Sequence, residues 1–320
     1  MTKVFVTRRI PEIGLERLRE MHQVEVWPED SPPDRETLLE KVRGCSGLLC
    51  MLSDRVDAEL MDAAGRELNG IANFAVGYNN IDVQQASARG IAVGNTPGAL
   101  TDATADIAVG LMLAAGRCFQ PALHNVHSLG WKNWEPLGFL GQEFTGRTIG
   151  IVGMGRIGAA VAKRLRFGWD MRVIYTSRTP KAQYEQSLGA TRVSLETLLE
   201  QSDVVSIHTS LQPETRGLIG AEQLRSMKPN AVLVNTSRGE VIDQSALYTA
   251  LRSAQIFAAG LDVTDPEPLP SDSPLRQLPN CIILPHIGSA TYVARDRMAL
   301  MAADNLIAAI AGNTMPHPVG

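Results

Sequence analysis

The sequence predicts an α/β protein built from two doubly wound parallel-sheet domains. Short apolar runs alternate with amphipathic stretches through the first third of the chain, and the same alternation starts again at Thr148. A glycine-rich loop, from Gly153 to Gly158, follows the first strand of this second series. An alternation of strand and helix signals is typical of parallel sheets that carry helices on both faces.

The first third of the chain contains five short apolar runs that we interpret as strands. They lie at residues 4–6, 24–26, 47–52, 71–76 and 91–93, with amphipathic segments between them at residues 13–21 and 35–42. A single long helix is predicted over residues 101–129, because Ile107, Leu111 and Ala114 recur at helical spacing.

The second series predicts a further sheet. Its strands are expected at residues 148–152, 172–175, 204–208, 231–235, 258–261 and 282–284, with a helix at 156–167 and a proline-rich connection at 264–270. We expect the final helix, residues 292–311, to pack on the first domain. The predicted domains are therefore residues 1–100 plus 287–320, and residues 101–286.

Composition narrows the class of protein. The 320 residues suffice for about two domains, and 44% hydrophobic and 20% charged residues are ordinary for a globular chain. A net charge of −4 gives no electrostatic reason to expect nucleic acid or an anionic membrane as partner. The basic run at residues 163–166 is typical of the solvated face of a helix.

The potential metal ligands of the sequence do not form a recognisable site. His124 and His127 are three residues apart on a predicted helix, with no third ligand nearby. The cysteines are scattered without a Cys-x-x-Cys pair, which suits a reducing compartment and argues against a disulfide framework or a zinc cage. These cysteines are Cys45, Cys50, Cys118 and Cys281. We expect no bound metal.

The sequence also contains no clear targeting signal. No signal peptide is visible at the N-terminus, and the most apolar stretch, residues 107–115, is too short to cross a bilayer. We therefore expect a cytoplasmic protein.

The glycine loop indicates a dinucleotide site. It connects a buried-strand pattern, residues 149–152, to a helical pattern. In such loops Gly153 would allow a tight turn, Gly155 would let the backbone approach a pyrophosphate, and Gly158 would allow close helix–strand packing. The amides of Arg156 and Ile157 at the helix start would supply donors and the positive end of the helix dipole.

The next strand indicates which dinucleotide is bound. Sites that select NAD place Asp or Glu about 20 residues after the loop, to bind the ribose 2′-hydroxyl. Here the strand ends in Ser177, Arg178 and Thr179, without a carboxylate. Hydroxyls and a guanidinium suit a 2′-phosphate. The alternative to a phosphate site is an ordinary polar turn before Pro180. We predict NADP(H) in preference to NAD(H), with NAD(H) still possible.

Five segments, in this order, resemble the D-isomer-specific 2-hydroxyacid dehydrogenases. They are residues 75–82 (AVGYNNID), 150–158 (GIVGMGRIG), 235–239 (NTSRG), 260–263 (GLDV) and 285–290 (PHIGSA). Residues 51–57 (MLSDRVD) and 131–134 (WKNW) resemble the glyoxylate/hydroxypyruvate reductase branch. The resemblance covers essentially the whole chain. It implies a Rossmann dinucleotide-binding domain inserted in a flavodoxin-like substrate domain.

Three residues fit the chemistry of 2-oxo acid reduction. The reaction needs a fixed cation for the substrate and a proton donor for the developing alkoxide. Arg238 can supply the cation and His286 the proton, while Glu267 would orient the imidazole and favour its protonated form. They follow three predicted strands, where α/β sheets present their sites.

The resemblance implies further roles, residue by residue. The backbone of Val76 and Gly77 is similar to the pair that receives a substrate carboxylate, and Leu52 and Ser53 resemble a loop that covers the substrate. Asp262 resembles a contact to the nicotinamide carboxamide. Trp134 resembles an aromatic residue that reaches the neighbouring subunit's site, which implies a homodimer. The remaining expected cofactor contacts are Thr104, His208, Thr209, Pro213, Thr236 and Gly288, and Ser210 replaces a usual proline, which leaves that local contact open.

The implied reaction is reduction of glyoxylate or hydroxypyruvate by hydride transfer, giving the D-2-hydroxy acid. Alternatives remain on the same scaffold. Formate dehydrogenation needs no proton donor, and the Glu267–His286 pair argues against it. A dinucleotide-sensing corepressor would be expected to carry longer flanks, and phosphoglycerate dehydrogenase has forms of similar length.

Overall fold

Two structural units make up the chain. The computed structural model describes residues 1–319, so Gly320, which belongs to the predicted first domain, lies outside the described residues. The first unit contains Met1–Leu100 together with the residues from Ala290 onward, and the second is Thr101–Ser289. The chain thus returns to the first unit after Ser289, whereas the sequence predicts this return after residue 286.

Strands and helices alternate along most of the chain, except that α5 and α6 are consecutive and no α-helix separates β11 from β12. The first unit begins with β1 (Lys3–Val6), α1 (Glu12–Arg19), β2 (Gln23–Val26), α2 (Arg35–Lys41), β3 (Gly47–Cys50), α3 (Ala58–Ala64), β4 (Gly70–Asn73), α4 (Val83–Ala88) and β5 (Ala92–Gly94). The second contains α5 (Thr101–Gly116), α6 (Phe119–His127), β6 (Thr148–Val152), α7 (Arg156–Gly168), β7 (Arg172–Thr176), α8 (Ala182–Leu188), β8 (Thr191–Arg192), α9 (Leu195–Gln201), β9 (Val204–Ile207), α10 (Ala221–Ser226), β10 (Val232–Asn235), α11 (Gln244–Arg252), β11 (Ala258–Leu261) and β12 (Cys281–Ile283). Helix α12 (Tyr292–Ile310) then completes the first unit.

The first unit is a five-stranded parallel sheet in the order β2-β1-β3-β4-β5. This is the flavodoxin-like order of a doubly wound sheet. Phe5 packs on one face with a cluster that includes Leu48 and Ile71. Val4 packs on the other face, in a cluster that includes Leu15 of α1 and Leu306 of α12. Both faces of the central strands are covered, which explains why β3 and β4 are buried throughout, whereas the edge strand β2 contains Gln23 and Glu25 and has no buried residue.

The second unit is a seven-stranded parallel sheet in the order β12-β11-β10-β9-β6-β7-β8. The chain runs outward from β6 through β7 to β8 and then returns to β9 on the other side of β6. The strand order therefore reverses beside β6, and α/β sheets bind their ligands at the carboxyl ends of the strands at such a reversal. The predicted fold class, two doubly wound parallel sheets, is confirmed.

The predicted single helix over residues 101–129 is wrong. It is two helices, α5 and α6, because Cys118 between them has a left-handed backbone with φ of 56°. The carbonyl of Gly116 accepts a hydrogen bond from the amide of Gln142 at 2.8 Å. This carbonyl is therefore bonded to a residue outside the helix. Strand β8 was also missed, since two exposed residues at a sheet edge carry no periodic signal.

Among residues 1–319, no helix combines the length and the apolar character that crossing a membrane requires.

Helices α1 and α12 approach closely at one glycine. A Cβ added to Gly14 would lie 2.7 Å from the Cβ of Ala299 and 2.8 Å from its carbonyl oxygen. Neither atom belongs to a flexible side chain that could rotate away. Gly110 on α5 is the opposite case, because an added Cβ would meet nothing within 4 Å.

We predict that Gly14→Ala lowers the free energy of unfolding by about 1–3 kcal/mol, since the added methyl overpacks the α1–α12 contact. Gly110→Ala, the same change in an open helical position, should stabilise by about 0.5–1 kcal/mol through backbone entropy. Differential scanning calorimetry of both variants measures the shifts, and an unchanged transition temperature for Gly14→Ala would contradict the packing argument.

Candidate active site

The glycine loop between β6 and α7 has a different physical reason for each glycine. Gly153 has φ of +98°, and an added Cβ would lie 2.8 Å from the backbone of His208 and Thr209. An added Cβ at Gly158 would clash with the carbonyl oxygen of Gly153 and would lie 2.9 Å from Cγ2 of Ile151 on the strand. At Gly155 nothing lies within 4 Å of that position. The loop therefore leaves open space at its middle glycine, where a phosphate can approach the backbone.

Helix α7 begins immediately after this open position. It starts at Arg156, and no side chain among the described residues caps its first turn. The first amides of a helix have no partner within the helix. The amides at Arg156 and Ile157 can therefore serve an anionic ligand, and the loop fits a dinucleotide pyrophosphate.

The end of β7 carries hydroxyl and guanidinium groups. Ser177 Oγ donates to the carbonyl of Thr179 at 2.6 Å, and Arg178 Nη1 donates to Gln212 Oε1 at 3.3 Å. Gln212 immediately precedes the short 3₁₀ helix Pro213–Thr215, which follows β9. The predicted cofactor contacts at Ser177, Arg178 and Thr179 thus lie in one connected region of the second unit, together with Pro213.

His208, at the end of β9, is held between two hydroxyl groups. Its Nε2 lies 2.8 Å from Ser206 Oγ, and its Nδ1 lies 3.3 Å from Thr236 Oγ1. Burial of the ring lowers the pKa of His208 to about 3. The imidazole is therefore neutral near pH 7, and it is a poor candidate for a proton donor.

The segment after β12 is fixed by Asp262. The two carboxylate oxygens of Asp262 accept the amides of Ile287 and Gly288, each at 2.7 Å. Thr104 Oγ1 donates to the carbonyl of Gly288 at 3.0 Å. Burial raises the pKa of Asp262, and the two amide hydrogen bonds oppose that rise. The carboxylate of Asp262 thus holds the chain beside His286. The contact of Asp262 with the nicotinamide carboxamide, which the family resemblance implies, stays a prediction.

His286 and Glu267 form a hydrogen-bonded pair. His286 Nδ1 lies 2.8 Å from Glu267 Oε2, and their side chains are 27% and 32% exposed. The other oxygen of Glu267 accepts the amide of Thr264 at 3.0 Å. Burial acts to raise the pKa of Glu267, but His286, Thr264 and Arg238 outweigh it and lower the pKa below its usual value.

The backbone of His286 is left-handed, with φ of 55°, which is uncommon for a residue other than glycine. Its amide donates to the carbonyl of Asp262 at 2.9 Å. Together with the two amides held by the Asp262 carboxylate, this bond keeps the chain in the uncommon conformation. Sequence reasoning did not identify this backbone feature.

Arg238 follows β10 and is positioned by its neighbours. Asn235 Nδ2 donates to the carbonyl of Arg238 at 2.8 Å, and Asn235 Oδ1 accepts the amide of Ser237 at 2.9 Å. Burial lowers the pKa of Arg238, while the charges of Glu267 and Glu240 act to raise it. Glu267 thus acts on the charge of Arg238 and is hydrogen-bonded to His286, so the structure brings the three predicted catalytic residues into one region.

Gly239 connects this region to the loop that carries Glu267. The position of an added Cβ at Gly239 coincides with the backbone of Thr264 and Asp265, so no larger residue fits. Asn235 and Gly239 were not predicted as site residues, although both lie within the NTSRG segment. Asn235 bonds to its near neighbours Ser237 and Arg238, whereas the contact of Gly239 with Thr264 and Asp265 becomes visible only in the folded sheet.

In the first unit, the backbone at residues 76 and 77 presents two amides. The carbonyl of Ala75 accepts the amide of Thr96 at 3.0 Å, and the carbonyl of Val76 accepts Asn95 Nδ2 at 2.7 Å. In a trans peptide the N–H points opposite to the C=O. The amides of Val76 and Gly77 therefore point away from these partners.

The loop that contains Leu52 and Ser53 is held at both ends. The Asp54 carboxylate accepts the amide of Met51 at 2.7 Å and the hydroxyl of Thr7 at 2.5 Å. Asn80 Nδ2 donates to the carbonyls of Met51 and Asp54 at 3.0 and 3.1 Å. The Leu52 side chain between these anchors is 37% exposed. Asp54 and Asn80 are further positioning residues that sequence reasoning missed.

Trp134 lies in a segment with large exposed apolar side chains. It is 82% exposed, and α6 in the same unit has no buried residue. The other large apolar residues exposed here are Phe119, Leu123, Val126, Leu129, Trp131, Leu137, Phe139 and Leu140.

Within residues 1–319, no group of three or more His, Cys, Asp or Glu side chains is arranged to hold a metal ion. The donors of the candidate site are instead backbone amides, hydroxyls and guanidinium groups.

Comparison with known proteins identifies the family. Residues 109–288 match the model of the D-isomer specific 2-hydroxyacid dehydrogenase NAD binding domain. The chain is 49% identical to a glyoxylate reductase of Korarchaeum cryptofilum, over 99% of this chain and 95% of that protein. It is 46% identical to a human glyoxylate reductase/hydroxypyruvate reductase, over 99% and 97% of the two chains.

A solved structure gives the same result. The NADPH-dependent glyoxylate/hydroxypyruvate reductase of Sinorhizobium meliloti, in complex with NADP and malonate, has a TM-score of 0.85 and 34% identity, and the match covers 100% of this chain and 97% of that chain. The sheet orders, the glycine loop and these similarities lead to one assignment. The chain belongs to the D-isomer specific 2-hydroxyacid dehydrogenase family, whose members bind a nicotinamide dinucleotide.

Proposed function

We propose that this protein reduces glyoxylate, hydroxypyruvate or both to the D-2-hydroxy acid, and that it prefers NADPH to NADH. The observation that carries the proposal is the 2.8 Å pair between His286 Nδ1 and Glu267 Oε2, formed in the same region as Arg238. A proton donor supports carbonyl reduction, and the names of the relatives support these two substrates.

Each of the three residues has a role that follows from its environment. The guanidinium of Arg238 remains charged at neutral pH and would polarise the 2-oxo group and bind the substrate anion. Glu267, ionised because its pKa is lowered, would hold the Nδ1 hydrogen of His286, so that Nε2 can carry the transferred proton. Bound NADPH would supply the hydride to C2 of the oxo acid.

Residues of the first unit would bind the other end of the substrate. The amides of Val76 and Gly77 are proposed to receive the substrate carboxylate, because both carbonyls of these peptides are already bonded on the opposite side. Leu52 and Ser53 are proposed to cover the substrate, on a loop that Asp54 and Asn80 hold at its ends.

The proposed NADPH preference rests on the end of β7. Ser177, Arg178 and Thr179 provide donors and positive charge where an NAD site usually has a carboxylate. The neighbouring structure from Sinorhizobium meliloti, described as in complex with NADP, supports the same choice. The other proposed cofactor contacts are Thr104, Gly153, Gly155, Arg156, Ile157, Gly158, His208, Thr209, Pro213, Thr236, Asp262 and Gly288.

We also propose a homodimer formed through α6 and the segment that follows it. Phe119, Leu123 and Val126 are all about half exposed or more on a helix without buried residues. An apolar surface of this kind is typical of a protein interface. In the dimer, Trp134 is proposed to reach the substrate site of the second copy.

The proposed reaction is tested by following NADPH and NADH oxidation with a panel of 2-oxo acids. We expect the highest kcat/KM for glyoxylate or hydroxypyruvate with NADPH. Arg178→Gln should lower kcat/KM for NADPH and leave the value for NADH nearly unchanged, since NADH lacks the 2′-phosphate. A wild-type preference for NADH, or for 3-phosphoglycerate oxidation, would overturn the corresponding part of the proposal.

We predict that His286→Ala lowers kcat by about 10²–10⁴-fold, because the alkoxide then has no positioned proton donor. Glu267→Gln should cause a smaller loss, since the imidazole remains but its orientation weakens. Quenching of protein fluorescence by NADPH provides the control, because cofactor binding should survive both changes. Near-normal turnover in His286→Ala would remove His286 from the mechanism.

The homodimer is expected to depend on the apolar face of α6. Size-exclusion chromatography with light scattering should give twice the 34.6 kDa chain mass for the wild type and the single mass for Leu123→Glu/Val126→Glu. Phe167→Glu is the matched control, since Phe167 is 68% exposed on α7 of the same unit. A monomeric wild type would contradict the interface.

A further inference from the structure

The short strand β8 places an arginine beside the end of β7. Arg192 pairs with Tyr175 in the parallel register of the two strands. Because the carboxyl ends of parallel strands lie at one edge of a sheet, Arg192 is beside the turn formed by Ser177 and Arg178. Nothing in the sequence pattern singled out this residue, since the strand consists of two exposed residues.

The guanidinium of Arg192 is bonded to the backbone of that turn. Nε and Nη2 donate to the carbonyl of Ser177 at 3.2 and 2.9 Å, and Nη2 also donates to the carbonyl of Arg178 at 3.2 Å. These bonds tie two consecutive carbonyls of the turn to one rigid planar group. Arg192 therefore holds the backbone that positions the side chains of Ser177 and Arg178.

The same guanidinium keeps donors for a ligand. An arginine has five N–H donors, and the contacts to the turn use only those on Nε and Nη2. The two N–H groups on Nη1 can bind an anion while the anchoring bonds persist. Because anchoring fixes the planar group beforehand, less side-chain entropy is lost when it binds.

The surrounding charges favour a phosphate over a ribose hydroxyl. Arg178 and Lys181 add positive charge on the same turn. Glu185 is the nearby carboxylate on α8, and its Oε1 accepts the hydroxyl of Tyr175 at 2.6 Å. The Tyr175 hydroxyl in turn accepts the amide of Lys181 at 2.8 Å, which fixes the start of α8.

We propose that Arg192 determines specificity for a 2′-phosphorylated dinucleotide, both by anchoring the Ser177–Arg178 turn and by presenting Nη1 to the phosphomonoester. This inference rests on the proposed NADPH preference and deepens it. It makes the 2′-phosphate site a pair of guanidinium groups from two adjacent strand ends, one of them bonded to the backbone.

The test is isothermal titration calorimetry with NADP⁺ and NAD⁺, which differ only in the 2′-phosphate. Arg192→Gln should weaken NADP⁺ binding about ten-fold, the loss typical of a charge-assisted hydrogen bond. Binding of NAD⁺ should change by less than about two-fold. Retained binding of NAD⁺ also shows that the Arg192→Gln variant is folded. Arg192→Lys retains the charge but not the planar fork, so it should recover only part of the affinity for NADP⁺.

The matched control is Arg252→Gln. Arg252 is an exposed arginine of the same unit, at the end of α11, and its guanidinium lies 6.0 Å from the centre of the Tyr248 ring. Both dinucleotides should bind this variant as they bind the wild type.

Two adverse outcomes are distinguishable. If the wild type binds NADP⁺ no more tightly than NAD⁺, the proposed NADPH preference fails, and the role of Arg192 in it fails as well. The other outcome concerns Arg192 alone. Its proposed role is overturned if three results coincide: the wild type prefers NADP⁺, Arg178→Gln loses that preference, and Arg192→Gln keeps it.

Discussion

The buried carboxylate of Asp262 is the interaction on which the candidate active site depends. It accepts two successive amides after β12, and the carbonyl of the same residue accepts the amide of His286. A left-handed conformation costs free energy for a residue other than glycine, and these bonds help to hold His286 in it. The amide bonds offset part of the cost of burying the carboxylate, and they fix the backbone from which the imidazole extends.

Backbone contacts between loops bring Arg238 and Glu267 close to the imidazole of His286. Asn235 holds the turn at Arg238, and Gly239 lets that turn lie directly against the backbone at Thr264. Glu267, only three residues further along, then bonds to His286. The site is therefore assembled from the ends of three neighbouring strands, and packing between their loops sets the distances.

Much of the fold follows from the sequence, because buried parallel strands leave continuous apolar runs such as Ile149 to Val152. The glycine loop was also accessible, because a buried strand precedes it and a helix follows it. The family resemblance pointed to Arg238, Glu267 and His286, which the structure brings into one region, and their catalytic roles stay predictions. The break at Cys118 was not accessible, because it depends on a contact between Gly116 and the distant Gln142. Arg192 and Asp54 were missed for a similar reason, since the sequence does not report the positions of their partners, which are backbone groups and, for Asp54, also the hydroxyl of Thr7.

The return of α12 to the first unit has a consequence for synthesis of the chain. The second unit is continuous, and all of its strands leave the ribosome before α12 exists. The first unit, although its sheet is made first, has one face of that sheet only partly covered, by α1, until the last helix emerges. The nascent chain therefore carries an exposed apolar surface for most of translation, and the first unit matures after the second.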